Sequence, residues 1–144
     1  MPTTLATEIK TTIDAPASDV WKAITTPAEI KKWFFGVDTT TDWKPGSDIV
    51  HTGEWQGKPY KDKGRIVAFE PERKLVHTHW SSMSGLDDAE ENYQTVSWTL
   101  SESGGHTELT VAEENIPSEE TKGVSEQSWK MVLGKLKGLL EGKR

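Results

Sequence analysis

Apolar and polar positions alternate at the start of the chain. Leu5, Thr7, Ile9, Thr11 and Ile13 share one face, and Glu8, Lys10 and Thr12 the other. A period of two predicts a half-buried strand. The period then changes. Ala17, Val20, Trp21 and Ile24 fall at helical spacing, with Pro16 suited to a first turn where its missing N–H costs nothing. Thr26-Pro27-Ala28-Glu29 is a capping-box pattern with proline at the first helical position, which predicts a second short helix ending near Phe34-Phe35-Gly36. A strand end, a short helix, a break and a second short helix carrying an aromatic cluster suggest a small-molecule pocket under a lid.

Strand-like segments with turn punctuation follow. Pro45-Gly46 marks a turn before a strand over 49–55, and Gln56-Gly57-Lys58-Pro59 a hairpin before a strand through 66–69. Glu70-Pro71-Glu72-Arg73 precedes a strand over 74–81, and 82–91 is a polar, acidic loop. In 92–101, Val96, Trp98 and Leu100 share a face; after Ser103-Gly104-Gly105, Thr107, Leu109 and Val111 do the same in 106–113. Such spacing predicts an antiparallel meander. The last element, over 118–141, is a helix with Ser118 as N-cap and Glu119 and Glu120 complementing the helix dipole. Trp129, Val132, Leu133, Leu136, Leu139 and Leu140 form one apolar stripe along it. A rod of about 24 residues, roughly 35 Å long, crosses a whole sheet. Gly134 and Gly138 have the spacing of a close-packing motif, but that motif has its force in membranes, and chance spacing is the better reading here. Helix against sheet is an α+β layer arrangement, with the two short helices plugging one end.

Composition narrows the function classes. A chain of 144 residues is one domain by default. The net charge of -6 and the lack of any Lys/Arg-rich run argue against nucleic acid. With no cysteine, disulfides, thiolate catalysis and thiolate metal sites are excluded. No basic segment leads into an apolar core at the N-terminus, and no apolar run approaches a membrane span; the expectation is a soluble, cytoplasmic protein without a membrane partner.

The chain resembles the activator of heat-shock-protein-90 ATPase homologue-like family, within the START-like (SRPBCC) superfamily of the birch-pollen-allergen type. The resemblance rests on Ala15-Pro16 with Val20-Trp21, Thr26-Pro27 with Ile30 and Trp33-Phe34, and Pro45-Gly46. It continues through Gly64-Arg65-Ile66, Glu70-Pro71, Lys74-Leu75, Trp80 and Thr107-Glu108-Leu109-Thr110 to the Trp129…Leu133…Leu136-Lys137…Leu140-Glu141 helix. It spans nearly the whole chain in order. It implies a helix-grip fold: a curved antiparallel sheet of about six or seven strands wrapped around the long C-terminal helix, with a cavity between them. Relatives bind lipids, hormones or polyketides there, and some cyclise or hydrolyse them. The eukaryotic namesake is a co-chaperone with an additional N-terminal domain, so a chaperone partner and a stress-response role are a further expectation rather than carried over.

Within that fold Trp33, Phe34, Trp80, Trp98 and Trp129 are the expected cavity lining, helped by Tyr93, Leu133 and Leu136. His77 and His79 share a strand face, with His51 on a neighbour. Without cysteine or a helical histidine pair these read as surface or pocket histidines rather than metal ligands, and His79 beside Trp80 is the expected ligand contact. Tyr60 and Arg65 are candidate polar handles. The acidic run 87–91 lacks calcium-loop spacing and reads as solvated. Glu113 and Glu114 are adjacent on a strand and point to opposite faces, unlike a catalytic carboxylate pair. No Ser-His-Asp order, phosphate loop or HExxH motif occurs. The leading expectation is therefore non-catalytic binding of an apolar or amphipathic molecule, lipid-like or aromatic, without metal or cofactor. A cyclase- or hydrolase-type enzyme using His79 and Tyr93 is the alternative, and a chaperone-interaction module a third.

Overall fold

The alternation at the N-terminus becomes β1 (Leu5–Ile13), in which Thr7 and Ile13 are buried and the even-numbered residues are exposed. In this computed structural model, residues 5–34, 36–82 and 85–142 are described; Phe35, at the expected end of the second helix, lies outside them. Two short helices follow, α1 (Ala17–Thr25) and α2 (Pro27–Trp33). Pro16 is the N-cap of α1, one position before the predicted first turn, and its carbonyl accepts from the N–H groups of Asp19 and Val20. Thr26 caps α2 through its carbonyl, which accepts from Glu29 and Ile30, while its hydroxyl makes no capping bond.

Six strands come next: β2 (Asp38–Thr41), β3 (Asp48–Trp55), β4 (Lys58–Glu70), β5 (Lys74–Ser81), β6 (Gln94–Ser103) and β7 (His106–Ile116). With β1 they form one antiparallel sheet in the order β1-β7-β6-β5-β4-β3-β2. Strands β2 to β7 are a meander, and β1 closes onto its last strand. The β3–β4 and β6–β7 hairpins turn on two residues each, Gln56-Gly57 and Gly104-Gly105, all four at positive φ. That is the mirror-image turn whose twist matches the flanking strands, and it favours glycine. Strand β2 is an element the sequence reading lacks, and β4, read there as a strand through 66–69 after the hairpin, starts at Lys58.

The chain ends in α3 (Glu119–Glu141), whose N-cap Ser118 hydroxyl accepts from the Thr121 N–H at 3.1 Å. Val132, Leu133, Leu136 and Leu140 are buried and Trp129 and Leu139 partly so, which is the predicted stripe. A methyl group at Gly134 or Gly138 would meet open space, so that spacing packs against nothing. Helix α3 runs along β1, touches the margin of β7, and meets α1 and α2. Lys137 donates to the Thr12 carbonyl and Glu141 accepts from the Asp14 N–H, fastening helix to strand. The β3–β6 half of the sheet has little helix directly against it. The architecture is α+β and agrees with a helix-grip fold. No helix among the described residues is long and apolar enough to cross a membrane.

Candidate functional site: a cavity between sheet and helix

Because α3 lies over β1, the other half of the sheet faces open space, and a cavity of about 460 Å³ results. Ile24, Ile30, Trp33 and Phe34 line it from the short helices; Trp129, Val132, Ser125, Ser128 and Val124 line it from α3. Val124 is 60% exposed, so the cavity reaches the surface beside the first turns of α3. Four aromatic rings form a closed circuit in its wall. Trp33 stacks on Phe34 at 5.6 Å and Phe34 on Trp129 at 6.5 Å; Trp129 meets Trp98 edge-on at 5.4 Å, and Trp98 meets Trp33 at 5.8 Å. Offset-stacked and edge-to-face geometries are the favoured ones for such rings. The Trp33 indole N–H is satisfied by the Ala23 carbonyl at 3.0 Å.

Next to this wall the sheet contributes mostly polar groups, with His51 edge-on to Phe34 at 5.7 Å. Residues at every second position share a strand face, so His51 on β3, Tyr60 and Asp62 on β4, and Leu75, His77, His79 and Ser81 on β5 all reach the cavity. His51 and Asp62 are direct cross-strand partners, as are Asp62 and Ser81. His79 Nε2 lies 3.1 Å from Asp62 Oδ2. Burial alone would raise the Asp62 pKa, but the His79 hydrogen bond and charge, the approaching Ser81 hydroxyl and His51 together lower it. Its other oxygen, Oδ1, is buried with no hydrogen-bond partner.

The two remaining histidines are held neutral. His51, bonded through Nδ1 to the Thr39 hydroxyl at 2.8 Å, is pushed down to about 4 by burial and by His79, with Asp62 opposing. His77 is pushed down to about 3, chiefly by burial, against the pull of its bond to the Thr78 carbonyl. Its tautomer follows from its partners. Nδ1–H donates to that carbonyl at 3.0 Å, and Nε2 accepts from the Trp98 indole at 3.2 Å. His77 therefore orients a wall tryptophan. Burial, followed by Asp62, raises the Tyr60 pKa. At the α3 side, Glu113 is buried and its Oε1 accepts from the Trp129 indole at 2.9 Å.

Of the predicted lining, Trp33, Phe34, His79, Trp98 and Trp129 border the cavity; Trp80, Tyr93, Leu133 and Leu136 do not. The cause for Trp80 is strand parity: His79 points inward, so its neighbour points out. There Trp80 stacks on Tyr93 at 6.3 Å and donates to the Leu86 carbonyl, pinning the acidic loop to the outer face of the sheet. Tyr93 donates to Asp88, which also pairs with Lys63. Those partners lower the Asp88 pKa, while desolvation and Asp88 push the Tyr93 phenol up to about 12. Leu133 and Leu136 are sealed in the core. Tyr60 lines the cavity, whereas Arg65 is exposed on the other face near Asp48. Glu113 points in and Glu114 out. The sequence reading missed Asp62, Trp43 and an inward role for Glu113. The signal for the carboxylates was parity, since Asp62 keeps the phase of Ile66, and Glu113 that of Leu109 and Val111. Among the described residues no group of three or more His, Cys, Asp or Glu side chains is arranged to hold a metal ion.

The comparisons with known proteins agree with this architecture. The family described as Activator of Hsp90 ATPase homolog 1-like protein matches residues 14–141, and the chain belongs to it. Among solved structures, ChR145 from Cytophaga hutchinsonii is 40% identical, with 96% of this chain and 95% of that one covered and a TM-score of 0.83. CalU16 from Micromonospora echinospora is 27% identical over 91% of this chain and 73% of its own, at a TM-score of 0.70. MLL2253 from Mesorhizobium loti, 19% identical over 97% and 99% at a TM-score of 0.82, shares the fold. No curated protein matches.

Proposed function

We propose that this domain binds an apolar or amphipathic small molecule, lipid-like or aromatic, in the cavity between β3–β6 and α3, without performing chemistry on it. The closed circuit of Trp33, Phe34, Trp129 and Trp98 beside a cavity of about 460 Å³ carries this reading. The volume is in the range of small-molecule pockets, and rigid rings offer contact area at low entropic cost. A panel of fatty acids, flavonoids and aryl-alkyl amines, followed by tryptophan fluorescence, tests it. Saturable quenching is expected for at least one class and should be lost in Ser128→Phe, which fills the cavity, with circular dichroism unchanged. No saturable response to any member refutes it.

The His79–Asp62 pair favours a second reading, cyclase- or hydrolase-type chemistry in the same cavity, with His79 as an acid–base group oriented by Asp62. Ester turnover that disappears in His79→Ala at unchanged ligand affinity would support it. A chaperone-facing surface is a third reading, resting on the family name alone.

A further inference from the structure

We propose that the cavity selects an organic cation, a protonated amine or quaternary ammonium group on an apolar body, over a carboxylate or a neutral compound of the same shape. This rests on the binding reading above and names its ligand class. Three observations carry it. The ionisable groups of the lining are carboxyls, imidazoles and a phenol; among the described residues no Lys or Arg lines the cavity. No arginine fork is there to take an incoming carboxylate, and the His79 imidazole is already paired with Asp62. Next, both carboxyls are sunk into the structure, Asp62 at 8% exposure and Glu113 at 8%, and the Asp62 Oδ1 atom lacks any hydrogen-bond partner. A buried carboxylate oxygen without a donor is costly, and a ligand N–H is the kind of partner it lacks. Finally, Trp98, Trp129 and Phe34 line the same cavity as the two carboxyls, with Trp129 bonded to Glu113 itself, and the faces of such rings attract cations, most strongly when water is excluded.

The neutral histidines sharpen the preference. His77 has both nitrogens engaged and His51 is held unprotonated by burial, so at neutral pH neither supplies a positive charge that would favour an anion. The ammonium end belongs near Asp62, with the body against Trp98 and Trp129.

The test uses three compounds with one body: 4-phenylbutylamine, 4-phenylbutanol and 4-phenylbutyrate, titrated at pH 7.5 by tryptophan fluorescence and by chemical-shift perturbation. The amine is expected to bind at least tenfold more tightly than the carboxylate and several-fold more tightly than the alcohol. In Asp62→Asn the amine should lose about tenfold while the alcohol changes less than twofold. Should that variant fail to fold, the amine-to-carboxylate ratio in the unmodified protein decides alone. Carboxylate or alcohol binding as tightly as the amine overturns the cation preference and leaves the cavity reading standing. If none of the three binds, the cation preference falls, and the cavity reading is decided separately by the wider panel.

Discussion

Two buried neutral histidines make the stability of this domain depend on pH in a way that can be worked out in advance. His51 is held at about 4 and His77 at about 3, both from an ordinary value of 6.5. The titratable groups acting on them are His79, Asp62 and, on His77, His51. Between pH 6.5 and 4 the unfolded chain protonates both imidazoles and the native chain neither. The unfolded state then binds about two more protons, and stability rises with pH. The contribution is complete above 6.5 and is lost as pH falls towards the folded values. From pH 6.5 to 5 each group costs about 1.5 units at about 1.4 kcal/mol per unit, or roughly 2 kcal/mol each and about 4 kcal/mol together. That is a large part of the 5–15 kcal/mol typical of a domain. Urea unfolding at half-unit steps from pH 7.5 to 5 measures it directly. In His77→Gln the pH-dependent loss should fall by about half, whatever the variant's stability at pH 7.5, because only the slope reports the proton. A flat profile over this range, or a His77 imidazole titrating near 6.5 by NMR, would refute the reasoning.

Gly64→Ala should be strongly destabilising, by more than about 2 kcal/mol, because its new methyl would land on the backbone carbonyl of Thr78 on the neighbouring strand β5; chemical denaturation checks it. Gly134→Ala should stabilise by up to about 1 kcal/mol, since the position is helical, exposed and surrounded by open space, which a thermal melt would show as a rise of a few degrees. Ser118→Ala removes the hydroxyl that caps α3 and should cost about 1 kcal/mol, with hydrogen exchange quickening at Thr121 rather than at Leu136.

What the sequence revealed, and what it hid, follows from where side chains are packed. Val96, Trp98 and Leu100 on β6 and the Trp129–Leu140 stripe on α3 are apolar because they meet other apolar groups, so their period was plain. Strand β4 was read only around residues 66–69 for the opposite reason. Its first half turns the polar side chains Tyr60 and Asp62 toward the cavity, and the apolar alternation is lost there. Strand β2 is short and its residues, Asp38 and three threonines, carry little apolar signal. The aromatic wall was half legible. Trp33, Phe34, Trp98 and Trp129 were recognisable as large rings, but ring size alone does not report orientation, and Trp80 went to the wrong face by one residue of parity. The resemblance to a known family carried the fold further than any single strand did, and it said nothing about Asp62.

The pairing of β1 with β7 has a consequence for how the chain reaches its native state. Every other pairing in the sheet joins strands adjacent in sequence, so those hairpins close short loops. Strand β1 must wait for residues 106–116, and α3 for β1 to be in place beneath it. During synthesis β1 thus emerges ahead of the other strands of the sheet yet is among the last of them to acquire a partner. Until then the apolar face formed by Leu5, Ile9 and Ile13 has neither sheet neighbour nor helix to cover it. Closing so long a loop is entropically slow, and an unpaired strand edge is the kind of surface on which nascent chains aggregate.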